Sequence, residues 1–327
     1  MTDLPIFESD AWRLTDQERK LTDQARELGE TRFADRAARY DRDAEFPIEN
    51  YRDLHSAGLL GICIPTEYGG LGANLRAYAL AAAEIGRYCG ATALTWNMHV
   101  CSCLWSGALA DDLEMDGVAR KHHHDTRAVH YKRILDDGAI YAQPFSEGGS
   151  AAAGTVAFST TAIRSDGGWV LRGKKIFASL AGSADYYGTL CTELQHVDDK
   201  PSRSNTLYLA VPAKAEGVRV VGDWDPLGMR ATVSRTLLFE EVFVPDGSEL
   251  LPPGVYFQAA SRWPHMFMTL TPAYMGLAQA AYDFTVKYLR GELPGAPPVK
   301  RRMYPTKQLA VADMRLMLEQ TKAIWFQ

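Results

Sequence analysis

Four histidines, His122, His123, His124 and His130, are the first residues of this chain whose types invite chemistry, as metal ligands. Their spacing argues against it. Adjacent residues on a helix point about 100° apart, and chelation from one face needs partners four residues apart. A polar helix face is the expectation, with no metal. The chain has five cysteines, Cys63, Cys89, Cys101, Cys103 and Cys191, an odd number without a Cys-x-x-Cys pair. That pattern suits buried free thiols in a reducing compartment. Phe177 and Ser179 are two residues apart, so in a strand they share a face, which ordinary alternation also gives.

The elements that must carry these residues fall into three blocks. Thr15 and Glu18 form a capping box, in which each side chain satisfies a backbone N–H at a helix start. Leu21, Ala25 and Leu28 follow at helical spacing, and Pro47 suits the first turn of a second helix, with Ile48, Tyr51 and Leu54 as its buried stripe. Gly69, Gly70 and Gly72 break the chain before two apolar helices, Asn74 to Cys89 and Ala91 to Leu109. From about Ala139 the period changes to that of strands. Residues 160–164 and 169–177 flank Ser165-Asp166-Gly167-Gly168, a hairpin turn in which glycine accepts positive φ. Residues 206–211, 218–221 and 236–244 are further β-branched strands. After Pro252-Pro253-Gly254 helical spacing returns through Leu289, breaks at residues 293–299, and resumes near Pro305. The fold class expected is multidomain α+β: an N-terminal helical bundle over 1–137, a middle β-barrel-like domain over 138–250, and C-terminal helices over 251–327.

Composition fits this reading. The chain has 327 residues, 46% hydrophobic and 23% charged, the balance of an ordinary globular protein. Its net charge of −5 is spread along the sequence. A nucleic-acid binder carries a concentrated basic stripe, so a small-molecule partner is expected instead. Residues 91–109 hold Asn97 and His99 and suit a buried helix better than a membrane span of roughly 20 apolar residues. With no signal-like N-terminus, a cytoplasmic address is the expectation.

Three local patterns narrow the reading. One runs from Ala57 to Gly72 and contains Ile64-Pro65-Thr66-Glu67-Tyr68-Gly69-Gly70. Another is Tyr141 to Ser150, followed after the hairpin by Gly173-Lys174-Lys175-Ile176-Phe177-Ala178-Ser179. The last is Pro226-Leu227-Gly228-Met229-Arg230-Ala231-Thr232, with Phe239 to Pro245 behind it. In this order and spacing the chain resembles the acyl-CoA dehydrogenase family over nearly its whole length. That resemblance implies FAD as cofactor and an acyl-CoA thioester as substrate. It also implies a separate electron-accepting flavoprotein and a homo-oligomer. Phe177, Ala178 and Ser179 then match the strand against which the flavin ring lies, with Phe177 flanking the ring and Ser179 near N5 and O4. Tyr141, Phe145, Ser146 and Ser150 match the adjoining cofactor loop, Ser146 at the pyrimidine edge and Ser150 at a phosphate or the pantetheine arm. A flavin accepting hydride gains electron density at N1, O2 and O4, which nearby donors stabilise. Ser159, outside that strand, is expected to matter little.

Departures from the family pattern limit the reading. The family's Thr/Ser-Glu-Pro-Gly-x-Gly-Ser-Asp loop is shorter here, at Ser146-Glu147-Gly148-Gly149-Ser150-Ala151. The family's catalytic glutamate lies on a late loop, or on the first long C-terminal helix. Residues 255–281 contain no Asp or Glu, and Met266, Phe267 and Met268 fill that region, so no base is assigned. Lys300-Arg301-Arg302 replaces the usual Arg-x-x-Phe-Gly segment and suits a solvated basic turn. The family's C-terminal bundle is expected to be only about half encoded before Gln327, leaving apolar faces of the last helix unpartnered. Three functions stay open: acyl-CoA dehydrogenation, flavin monooxygenation on the same scaffold, and a non-catalytic partner subunit.

Overall fold

The computed structural model describes residues 5–8, 10–149, 156–263, 268–296 and 302–326. The expected order of helices, sheet and helices is present. Helix α1 (Asp16–Leu28) starts at the capping box: Thr15 Oγ1 accepts the Glu18 N–H, and Glu18 accepts the Thr15 N–H at 2.8 Å. A π turn leads into α2 (Ala34–Asp43), and α3 (Ile48–Ser56) follows Pro47, which sits one position before the first turn. Helices α4 (Leu75–Tyr88) and α5 (Gly90–Leu104) form the buried centre, and α6 (Gly117–Asp137) closes the block. The helix expected to reach Leu109 changes at Trp105 to a π turn, where Gly107 leaves the helical region (φ −99°, ψ −120°).

The middle block is one mixed sheet. Its strands are β1 (Tyr141–Ala142), β2 (Thr161–Ser165), β3 (Gly168–Ala178), β4 (Tyr186–Leu194), β5 (Thr206–Pro212), β6 (Val218–Val221), β7 (Arg235–Pro245) and β8 (Glu249–Leu251). The order is β6-β7-β3-β2-β4-β5-β8, with β1 beside β4. Ser165 pairs with Gly168, so Asp166-Gly167 is the two-residue hairpin turn and Gly167 takes φ 71°. Strand β4 was not expected. It is buried almost throughout, so it lacks the polar alternation that marks a half-exposed strand.

Helices α7 (Tyr256–Arg262), α8 (Thr271–Arg290) and α9 (Pro305–Phe326) complete the described chain. Helix α8 crosses α4 at glycine: a Cβ on Gly276 would lie 2.2 Å from the Ala83 carbonyl, and one on Gly86 2.7 Å from the Ala273 carbonyl. Arg87 and Asp283 brace the crossing at 2.6 Å. A continuous core joins the helices to the sheet, and a smaller cluster gathers Phe7, Leu14, Leu80, Met275 and Leu318. There Trp325 and Phe326 stack on Phe7, giving the end of α9 a partner, while Leu309, Leu316, Met317 and Ile324 remain exposed. Among the described residues no helix is long and apolar enough to cross a membrane.

Candidate functional site

Unusual backbone gathers around the end of β3, with four of the seven non-glycine residues of positive φ among the described residues. Phe177 (φ 51°) and Leu180 (φ 64°) lie in the left-handed region, as do Met229 (φ 58°) and Val233 (φ 44°) on the opposing turn. Bulky and β-branched residues resist that region, and such strain gathers where the surroundings hold a functional geometry. A shift of register between Lys175 and Ala178, opposite β7, releases Phe177 from the ladder. The result is an apolar ring 67% exposed, contacting Trp224 edge-on at a centroid distance of 6.3 Å. The Leu180 N–H donates to the Thr232 carbonyl at 2.9 Å and ties the strand to the turn. The turn is anchored in turn to α2, where Arg230 Nε donates to the Asp41 carbonyl at 2.8 Å.

The Phe145 to Glu147 segment comes to this strand from the other side. The Ile176 N–H donates to the Ser146 carbonyl at 2.8 Å. Glu147 and Lys175, both deeply buried, meet at 2.7 Å. The Glu147 carboxylate also accepts the Ser159 N–H and hydroxyl, each at 2.7 Å, and the Thr160 N–H at 2.9 Å. Burial alone would raise its pKa, but the Lys175 charge and these donors outweigh burial and hold it at about 2. Burial lowers Lys175 against the pull of Glu147. Lys175 also donates to the Leu190 carbonyl at 2.7 Å.

The structure thus brings together Phe145, Ser146, Phe177, Ala178 and Ser179. Ala178 is buried beneath the wall, and Ser179, largely buried, bonds Ser234 at 2.8 Å. Phe145 packs among Tyr208 and Tyr256, each ring 6.0 Å away. Tyr141 is set apart: it is fully buried, stacked on Tyr186, with its hydroxyl 2.9 Å from His130 Nδ1. Ser150, Met266, Phe267 and Arg301 lie outside the described residues. Ser159 has both its N–H and its hydroxyl on Glu147.

The histidine segment is also not a uniform polar face. His123 and His130 are buried, engaging the Ser106 carbonyl and the Tyr141 hydroxyl, and burial lowers their pKa values to about 4 and about 3. Lys175, Thr232 and Ser234 also belong to the cluster at the end of β3, unanticipated from the sequence. Lys175 had a signal: it occupies the inward phase of a strand on which Trp169 and Leu171 face the core. Thr232 and Ser234 had none, since their partner is distant in sequence. A cleft of about 1220 Å3 lies elsewhere, between α4, α8 and α9.

A flat ring projected on a strained backbone, with a hydroxyl two residues beyond, suits a planar heterocycle that forms hydrogen bonds. The residues present therefore fit a flavin.

Comparisons with known proteins establish the family. The N-terminal domain of acyl-CoA dehydrogenases is matched over residues 15–109 and their middle domain over 145–242, together more than half of the chain. A probable acyl-CoA dehydrogenase, YngJ, of Bacillus subtilis (strain 168) is 25% identical over 97% of this chain and 80% of its own length. The L-evernosamine nitrososynthase of a Micromonospora species is 30% identical over 80% of this chain and 59% of its own length. The structure of KijD3 in complex with FMN and a dTDP-linked amino-keto sugar superposes with a TM-score of 0.73 at 25% identity, covering 93% of this chain and 70% of that one. The chain belongs to the acyl-CoA dehydrogenase family.

Proposed function

We propose that this chain forms a flavin-dependent oxidoreductase that binds FAD against β3 and introduces an α,β double bond into an acyl-CoA thioester. The observation that carries the reading is the strained, exposed Phe177 beside Ser179, within the region matched to the family's middle domain. When bound, the flavin supplies the hydride acceptor. The chain's own residues do the rest. Phe177 and Trp224 present apolar ring surface, and Ser179 offers a polar contact at the ring's edge. The Lys175–Glu147 pair fixes the Phe145-Ser146 segment against β3. Electrons would leave to a separate flavoprotein, and a homo-oligomer would complete the assembly.

A second reading, flavin monooxygenation, has a specific observation in its favour. Residues 255–281 carry no carboxylate, and the first on α8, Asp283, is held by Arg87 at 2.6 Å. A dehydrogenase needs a base for the proton α to the thioester. The nitrososynthase likeness and the FMN of KijD3 point the same way.

Purified protein denatured in acid should release FAD. Anaerobic addition of a series of acyl-CoA thioesters should bleach its flavin absorbance. Released FMN, with oxygen uptake on adding a reduced-flavin source and no bleaching by any thioester, would favour the monooxygenase. A colourless protein that takes up neither flavin would leave only the partner-subunit reading.

A further inference from the structure

Three hydroxyls run in line from the flavin wall into the turn behind it. Ser179 Oγ lies 2.8 Å from Ser234 Oγ, Ser234 Oγ lies 2.7 Å from Thr232 Oγ1, and Thr232 Oγ1 lies 2.9 Å from the Met229 carbonyl. All three side chains are more than nine-tenths buried. A carbonyl oxygen only accepts, so the Thr232 proton must point to Met229. Thr232 can then only accept from Ser234, and Ser234 can only accept from Ser179. Each hydroxyl has a single proton, so the sense of the whole line is set by its last member. The Ser179 N–H is also committed, to the Phe177 carbonyl at 3.0 Å. Ser179 therefore has no free donor, and only acceptor capacity remains.

We infer that Ser234 and Thr232 are positioning residues that lock Ser179 as a hydrogen-bond acceptor, so that this wall favours the reduced flavin over the oxidised one. The inference rests on the flavin reading above and on the placement of Ser179 near the ring's N5. The chemistry follows from the two redox forms. Oxidised flavin presents a bare N5 lone pair, which an acceptor cannot satisfy. Reduced flavin carries an N5–H, which an acceptor can. Removing Ser234 frees the Ser179 proton to turn outward and abolishes the preference without touching the ligand.

The test measures affinity for oxidised flavin by calorimetry and for reduced flavin by anaerobic titration, in wild type, Ser179→Ala, Ser234→Ala, Ser234→Thr and the double alanine variant. Thermal unfolding is followed alongside. Ser179→Ala and Ser234→Ala should each reduce the preference for reduced flavin by about threefold to tenfold, the scale of one net hydrogen bond. Ser234→Thr, which keeps the hydroxyl, should retain it, and Ser234→Cys, a much weaker donor and acceptor of similar size, serves if Ser234→Ala folds poorly. The double variant should lose no more than Ser179→Ala alone. An unchanged preference in Ser234→Ala, or equal weakening of both redox forms, would overturn the relay while leaving the flavin reading intact. Failure of wild type to bind either form would overturn the functional reading, and the relay with it.

Discussion

The Glu84 and Glu147 side chains are both shielded from solvent, and their surroundings drive them in opposite directions. Glu84, on α4, has one oxygen accepting the Ile6 N–H at 2.6 Å, while its other oxygen has no partner among the described residues. Burial raises its pKa to about 7, offset only in part by that N–H and by the charges of Arg87, Arg26 and Lys322. Glu147 is desolvated less completely and receives an ammonium and three further hydrogen bonds, and it sits at about 2. The donors aimed at the Glu147 carboxylate outweigh its desolvation, and those at the more deeply buried Glu84 do not. The difference follows the job. Glu84 fastens a terminal segment to a helix. Glu147 fixes the loop that faces Phe177.

The strongest way to break this comparison is to remove the ammonium. Lys175→Met leaves the Glu147 carboxylate buried without its counter-charge, and losing one partner of a buried pair costs about 3–5 kcal/mol. Urea unfolding should report that loss, and the purified variant should carry less flavin than wild type. Pairing it with Glu147→Gln should recover part of the stability, because no charge is then stranded. A Lys175→Met protein as stable and as yellow as wild type would mean that the pair neither braces the loop nor supports the site.

Acidity separates the two glutamates more finely. The ordinary carboxyl value is 4.5, and Glu147 lies below it at about 2. Its contribution is therefore present above about pH 4.5 and is lost as pH falls towards 2. Glu84 lies above 4.5, at about 7, so the folded state holds its proton more tightly. Its contribution is present at low pH and is lost as pH rises from about 4.5 to 7. Glu84→Gln removes the second effect. At about pH 8 the variant should equal or exceed wild type by roughly 1–3 kcal/mol, the cost of a poorly satisfied buried charge. At about pH 5 that advantage should vanish. An advantage that grows towards acid would reverse the reading of Glu84.

Much of this architecture is legible in local spacing. The capping box at Thr15 and Glu18, the turn at Asp166-Gly167 and the change from helical to strand period all depend on neighbours a few residues apart. Alternation also predicts that Phe177 and Ser179 share a strand face, but β3 ends at Ala178, with Phe177 exposed and Ser179 largely buried. Other features depend on contacts that spacing does not encode. Strand β4 is buried on both faces and so shows no alternation. The hydroxyls of Thr232 and Ser234 gain their meaning only when β7 lies beside β3. Ser159 carries no such signal, because its partner Glu147 lies 12 residues away in the sequence.

Ser159 also supplies the smallest and most discriminating prediction. Its hydroxyl is one of several donors to Glu147, and its backbone N–H stays in place when the side chain is cut back. Ser159→Ala should therefore cost only about 1 kcal/mol, the net value of one hydrogen bond. The loss should have a particular pH signature. With one donor fewer, the Glu147 carboxylate is held down less firmly, so the acid limb of unfolding should move to higher pH. No such movement is expected from removing Ser183, whose side chain has no part in this cluster. Acid titration followed by tryptophan fluorescence would resolve the shift. A Ser159→Ala variant whose acid limb coincides with that of wild type would show that Lys175 and the two backbone N–H groups hold Glu147 without help. The contrast with Glu84 would then rest on the ammonium and the two backbone N–H groups, without the Ser159 hydroxyl.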